Sequence, residues 1–436
     1  MVILLLTILN SSDLTRIALN FKIKIEMKNI NQIITHFTDN DLYTFTCQYY
    51  ILHTYPRAEV RYSFFDRNKF CYPQGFGELL REQVDNMRNI LITDDEIKFM
   101  REKIYFLPEW YYNFLRGFRF NPSEVHISQD IEGHLSVIIE GKWYSTIMWE
   151  MPILSTISEL LHIINGDVEK VDRIDEYNRA YEKGIRAFTN GLVLSDMSTR
   201  RRFDFHNQRD IIKALKNAYT DCINKHNCNG RFVGTSNVWF AKEFDLMPIG
   251  TLSHQIICAE ECVSGVFECN YNVMNKWSKC YDGDVGIFLY DTFGDKVFLN
   301  NLSKRLAKTF DGLRVDSGDE KEQTEKIITK YRELGIDPSS KAIVYSNALT
   351  IDKAIELHRW INGRIKDSYG IGTHLGGQVK NNETSEYFPY SNIVIKLIGF
   401  RITETREWHD CVKLSCDKGK TIGNKEKCNY LLKVIG

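Results

Sequence analysis

Charge of one sign is the first thing missing from this sequence. Its 436 residues hold 56 Lys and Arg against 57 Asp and Glu, a formal net charge of −1. That balance lacks the basic footprint of a duplex-DNA binder or of a protein held on an anionic membrane, so no nucleic-acid and no membrane partner is expected. The N-terminus lacks a long hydrophobic run: residues 2–9 (VILLLTIL) give an apolar stretch of eight, against the ~20 that cross a bilayer. No basic residue precedes that stretch and no convincing small-residue cleavage site follows it, which argues against a secretory signal. Residues 1–27 are read as an extension upstream of a translation start at Met27.

Disulfide-scaffold density is also absent. Eleven cysteines is an odd count, irregularly spaced in a long chain, which fits reduced thiols in a cytoplasmic protein. Zinc knuckles need closely paired cysteines, and only Cys258 and Cys262 approach that spacing, so plain thiols are favoured over metal. What is present is a globular balance of 43% hydrophobic, 26% charged and 12% aromatic residues. It excludes a disordered chain and can fill a sizeable core. The length calls for about two domains, or one large barrel with an appendage.

The two halves differ in rhythm. Residues 41–55 read as an aromatic-rich helix, residues 58–65 (AEVRYSFF) alternate as a strand with Val60, Tyr62 and Phe64 on one face, and residues 125–127 and 135–140 form a hairpin around Gly133. This is an α+β domain over 28–150, joined by 400–436. Over 151–399, apolar strand-like runs end in small or polar residues and are followed by amphipathic helices. The runs begin near residues 231, 247, 286, 312, 342 and 369, with 393–397 as a seventh. Residues 319–334 form one of the helices, with Ile327, Ile328, Tyr331 and Leu334 on one stripe. Buried parallel strands need crossover helices, so an α/β fold with an irregular (β/α) barrel is predicted. An open doubly wound sheet is the alternative, without a GxGxxG fingerprint to support it.

The strand ends carry the chemistry. Gly234-Thr235-Ser236-Asn237, Gly250-Thr251, Asp316-Ser317-Gly318-Asp319 and Gly372-Thr373 offer backbone N–H groups, hydroxyls and helix N-termini to anions. Four such turns on successive strands point to a phosphate-rich substrate, with ordinary loop turns as the bland reading. Arg200-Arg201-Arg202, the one tight basic triplet, is either a solvated face or an anion clamp. Arg314 lies inside a strand run and must be neutralised by Asp316 or by a ligand. His254 at a strand end is as much a candidate catalyst as a satisfied core histidine.

Together these motifs resemble the nicotinate phosphoribosyltransferase family. The resemblance runs through TDNDLYT at 38–44, WYSTIMWEMP at 143–152, TRRRF at 199–203, GTSN at 234–237 and GTLSHQ at 250–255. It continues with YDTF at 290–293, GLRVDSGD at 312–319, SN at 346–347, GIGTHL at 370–375 and KLSCDKGK at 413–420. It implies a barrel of the type II phosphoribosyltransferase kind. The implied reaction transfers phosphoribosyl from phosphoribosyl pyrophosphate to nicotinate, the first step of NAD biosynthesis from nicotinate. ATP hydrolysis would be coupled through transient phosphorylation of His254.

The resemblance further implies that Tyr43, Thr251 and Arg314 contact nicotinate, with Asp316 beside Arg314 and His254 in the catalytic group. A tyrosine at the position of Tyr43 supplied by a second subunit would make a homodimer with shared active sites. Arg200, Ser317, Gly318, Gly372 and Thr373 become phosphate and ribose contacts. Ser236, where nicotinamide-using relatives carry aspartate, would donate to the nicotinate carboxylate. Mg²⁺ would arrive mainly on the pyrophosphate, with Asp291 and Asp319, beside Asp316, as candidate ligands. Two residues depart from the family pattern: Met197 stands where relatives place a ring-stacking phenylalanine, and Gln255 follows His254 where an acidic residue is frequent. An aldolase or isomerase would need a strand-end lysine that is not found. A non-catalytic regulator would have lost His254 or Arg314.

Overall fold

The computed structural model describes residues 30–225, 228–415 and 421–436. The reading of residues 1–27, and residues 416–420 of the last motif, lie outside them. The described strands are β1 (Glu59–Asp66), β2 (Val125–Gln129), β3 (Leu135–Lys142), β4 (Val193–Asp196), β5 (Arg231–Thr235) and β6 (Met247–Pro248). They continue with β7 (Ile287–Leu289), β8 (Gly312–Val315), β9 (Ala342–Tyr345), β10 (Lys366–Ile371), β11 (Ile393–Arg401) and β12 (His409–Asp410).

Alternation builds the first sheet. In β1, Val60, Tyr62 and Phe64 are buried while their neighbours are half-exposed, the period of a strand packed on one side. β1 pairs antiparallel with β3 and with β11, giving the order β12-β11-β1-β3-β2. The run at 393–397 therefore belongs to this antiparallel sheet and not to the barrel, and the C-terminal segment enters it at Ile393. A central strand covered on both faces is as continuously apolar as a parallel one, and β11 is buried along most of its length.

Seven short strands make the second sheet, parallel throughout, in the order β6-β5-β4-β10-β9-β8-β7. Its seventh member is β4, which ends at Asp196. The helix Glu320–Glu333 after β8 buries Ile327, Ile328 and Tyr331 as predicted, and the Asp319 carboxylate accepts from Glu322 N at 2.8 Å to cap it. The edge strands β6 and β7 are not paired with each other, yet the segments that follow them meet: His254 Nδ1 lies 2.9 Å from Thr292 Oγ1. The result is a curled half-barrel whose C-terminal rim closes through side chains.

Trp143–Ile164 has the length and composition of a membrane span, but 89% of its most apolar window is buried inside the fold. Its longest helix, Glu150–Ile164, packs against β11 of the first sheet and against the turn Thr199–Arg201 after β4 of the second. Burying each large apolar side chain stabilises by about 1.5–3 kcal/mol, and this helix buries Ile153, Leu154, Ile157 and Leu160 completely. That packing fixes the two sheets relative to one another, and the site lies where they face.

Candidate active site

The rim of the half-barrel holds a cavity of about 440 Å³, lined from the loops after β4, β5, β6, β8, β9 and β10, with β11 and the start of the helix Leu42–Thr54 opposite. Residues 38–44 are stitched to the loop after β5: Leu42 N donates to Ser236 O at 2.8 Å and Val238 N to Asn40 O at 2.9 Å. Gly250 lets this segment come close, because a Cβ there would stand 2.9 Å from Tyr43 N.

Of the predicted residues, His254, Arg314, Asp316, Tyr43, Arg200, Ser236, Thr251, Gly372 and Thr373 all line the cavity. Ser317, Gly318, Asp291 and Asp319 do not. The Ser317 hydroxyl donates to Asp291, the Gly318 carbonyl accepts from Asn347 at 3.4 Å, and Asp319 caps its helix. Among the described residues, the cluster with metal-ligand spacing is Asp130, Glu132 and His134, exposed in the β2–β3 turn.

His254 opens the helix His254–Ser264 and is buried. Its Nε2 lies 2.8 Å from Lys413 Nζ and 3.1 Å from Asp316 Oδ2. Burial first, then the Lys413 charge, push its pKa well below 6.5 despite Asp316. The ring is therefore neutral at pH 7 and carries one proton. A lysine ammonium can donate only to a lone pair, so the closer contact requires the proton on Nδ1, where Thr292 Oγ1 accepts it. Nε2 then carries the lone pair, held at the cavity wall by the Lys413 ammonium. Asp316 is held by Ser346 Oγ at 2.9 Å. Burial would raise its pKa, but the charges of Arg314 and Lys413 oppose that, and the carboxyl is held well below the usual carboxylate range.

Among the described residues, six cations line the cavity (Arg67, Arg200, Arg201, Arg314, Lys396 and Lys413) against three acids, Asp41, Glu150 and Asp316. Burial, then Arg200 and Arg67, lower Arg201 to about 9, and burial lowers Lys396 to about 8. Arg67 Nε, Arg314 Nε, Thr251 Oγ1 and Ser253 Oγ are buried without a hydrogen-bond partner among the described residues. Orphaned donors in a cationic cavity call for an anionic, oxygen-rich ligand.

The arginine triplet divides its roles. Arg200 and Arg201 face the cavity, whereas Arg202 is fully buried and grips Asp39 through two bonds of 2.8 and 3.0 Å, with Glu159 at 3.3 Å. Ser236 differs from expectation: its hydroxyl donates to Asp41 Oδ1 at 2.7 Å rather than into the cavity. Burial raises Asp41 to about 6. Tyr43 lines the cavity of its own chain, its hydroxyl 3.3 Å from Met151 Sδ. Met197 lies in the cavity across Gly370, where a Cβ would come within 2.3 Å of its sulfur. Gln255 accepts from Tyr62 and donates to Glu150 at 3.4 Å; a glutamate there would set two carboxylates against each other.

Sequence reasoning missed Lys413, Lys396, Arg67, Glu150 and Asp41 as lining groups. Lys396 alone carried a plain signal, a lysine in the middle of the apolar run IVIKL.

The comparisons with known proteins agree with this geometry. Residues 192–434 match the model of the nicotinate phosphoribosyltransferase (NAPRTase) family and residues 38–158 its N-terminal domain. A nicotinate phosphoribosyltransferase of Desulforapulum autotrophicum is 36% identical over 406 residues, covering 92% of this chain and 99% of that protein. One from Methanococcoides burtonii is 34% identical, covering 92% and 98%. The crystal structure of the Porphyromonas gingivalis nicotinate phosphoribosyltransferase superposes with a TM-score of 0.87 at 36% identity, over 93% of this chain and 100% of that one. The Vibrio cholerae structure superposes at 0.81 with 28% identity, over 93% and 94%.

Proposed function

This chain belongs to the nicotinate phosphoribosyltransferase family and is an enzyme of that type, and from that premise we propose that it couples the transfer to ATP through phosphorylation of His254. The observation that carries the coupling is the neutral His254, its Nε2 lone pair facing Lys413 at 2.8 Å on the wall of a cavity with twice as many cations as acids. That nitrogen becomes a competent nucleophile for a phosphoryl group once the Lys413 ammonium turns from it to the incoming phosphate. The phosphohistidine formed would have Lys413 and Arg314 as neighbours for its charge.

In this reading nicotinate enters beside Tyr43 and Met197, and its carboxylate takes the orphaned donors Thr251 Oγ1 and Arg314 Nε. Asp41, at about 6, is poised to lose or keep its proton as the ring binds. Phosphoribosyl pyrophosphate brings Mg²⁺ with it, and the sugar and phosphates reach Gly372, Thr373 and Arg200. The pyridine nitrogen is already a nucleophile, so the chain contributes position and charge. Arg67, Arg200, Arg201 and Lys396 face the oxygens on which charge builds as pyrophosphate leaves, each well-placed donor contributing about 3 kcal/mol to the transition state. Position supplies much of the rest. A cytoplasmic homodimer acting in NAD biosynthesis belongs to the same proposal, on family resemblance alone.

The test offers nicotinate or nicotinamide with phosphoribosyl pyrophosphate and Mg²⁺, with and without ATP, and follows mononucleotide by chromatography. Nicotinate should give product, and ATP should increase it. His254→Ala should keep a basal rate and lose the ATP increment. An unchanged increment in that variant would overturn the role given to His254.

A further inference from the structure

Two thiols lie outside the catalytic machinery yet bracket it. Cys262 is on the helix that His254 opens, eight residues or about 12 Å along its axis. Cys411 precedes Lys413 by two residues. The two sulfurs are 3.7 Å apart, and both are free. The contact between His254 and Lys413 and the contact between Cys262 and Cys411 thus join the same two pieces of chain.

We propose that Cys262 and Cys411 form an oxidative modification site, in which a hydroperoxide converts the pair to a reversible disulfide that displaces Lys413 from its present alignment with His254 and suppresses the ATP-coupled part of the reaction. The regulatory consequence rests on the reading of His254 given above; the disulfide itself does not. Cys262 is the sulfur that meets the oxidant, because it is only partly buried while Cys411 is fully buried. Lys427 Nζ lies 3.8 Å from the Cys262 sulfur, so a thiolate formed there faces an ammonium.

The chemistry balances. The Cys262 thiolate attacks one oxygen of hydrogen peroxide, the O–O bond breaks, and the other oxygen leaves as hydroxide and becomes water on protonation. Cys411, as thiolate, then attacks the sulfenic sulfur, forming the S–S bond and releasing the S–O oxygen as a second water. Two thiols lose two electrons, and one peroxide takes them up.

Closing the bond draws the sulfurs from 3.7 Å to about 2.05 Å. The helix side is anchored by buried Ile256, Ile257 and Ala259. The other side, residues 411–413, is buried as well but follows β12, a two-residue exposed edge strand, and Lys413 lies two residues from the sulfur that moves. A displacement of about 1 Å at a reacting group can cost on the order of 100-fold.

The test treats reduced full-length protein with hydrogen peroxide, then maps peptides without reductant and assays the rate with and without ATP. A peptide joining Cys262 to Cys411 is expected, with the ATP increment reduced about tenfold or more and the rate without ATP within about twofold. Dithiothreitol should restore the increment, which it would not do for methionine sulfoxide. Cys262→Ser should form no such link and keep its ATP increment after peroxide; Cys411→Ala should behave alike. Recovery of both thiols by alkylation after peroxide, a link from Cys262 to another cysteine, or a Cys262→Ser enzyme as sensitive as the parent would each overturn the proposal. A reduced enzyme with no ATP increment would instead overturn the reading of His254, while the peptide map still decides the disulfide.

Discussion

Lys413 is one residue with two effects on the nucleophile. Its ammonium occupies the Nε2 lone pair at 2.8 Å and lowers the His254 pKa. Lys413→Met should raise that pKa toward the ordinary imidazole value, because one lowering influence is gone while burial remains. The acid limb of the ATP-stimulated rate should then move to higher pH and the increment should fall, both read from a pH–rate profile with and without ATP. The sequence displayed Lys413 inside a motif but not its partner, since 159 positions separate it from His254. The same distance problem hid Asp41. The Ser236 hydroxyl looked available to a substrate carboxylate until the fold brought Asp41 to within 2.7 Å of it. Residue type was legible, and so was the strand end that carries it. The direction of a single O–H was not, because it depends on a contact across 195 positions.

Among the elements, the arginine triplet shows how a loop and a helix divide one basic run. Arg202 is held by Asp39 and Glu159, each on a different segment, and burial raises Glu159 to about 8. Arg202→Met should cost about 3–5 kcal/mol, because the buried Asp39 carboxylate loses its cation, and a urea melt measures it. Asp319 gives the opposite contrast. As a helix cap, Asp319→Ala should cost about 1 kcal/mol and leave kcat/KM within about twofold; a loss of Mg²⁺ dependence would instead make it a metal ligand. Elements with one exposed face were legible: β1 announced its buried side through Val60, Tyr62 and Phe64, and the helix Glu320–Glu333 through its apolar stripe and cap. β11 was misassigned because a strand buried on both faces has no alternation to read. Hydrophobicity alone does not say which sheet it joins.

At the scale of the whole molecule, the cavity sets binding against stability. Six cations converge on it before any anion is present, and their mutual repulsion and burial are costs of folding. Lys396 shows this most clearly, because its pKa falls from 10.5 to about 8, chiefly through burial. A base with a folded pKa below its unfolded one carries its full penalty below the folded value. Between about pH 8 and pH 10.5 the unfolded chain binds more protons, so this group's penalty is relieved as pH rises through that window. Lys396→Met removes the penalty, and the ligand-free variant should melt roughly 1–3 °C higher than the parent at pH 7. Phosphoribosyl pyrophosphate should raise the parent's Tm through binding to the folded state, and raise the variant's by less. A ligand-free variant that melts lower, with an undiminished ligand shift, would mean that Lys396 stabilises the empty fold and does not meet the phosphates. If the shift shrinks as expected, the instability of the empty cavity and its affinity for anions share one origin, the cations that the two sheets bring together.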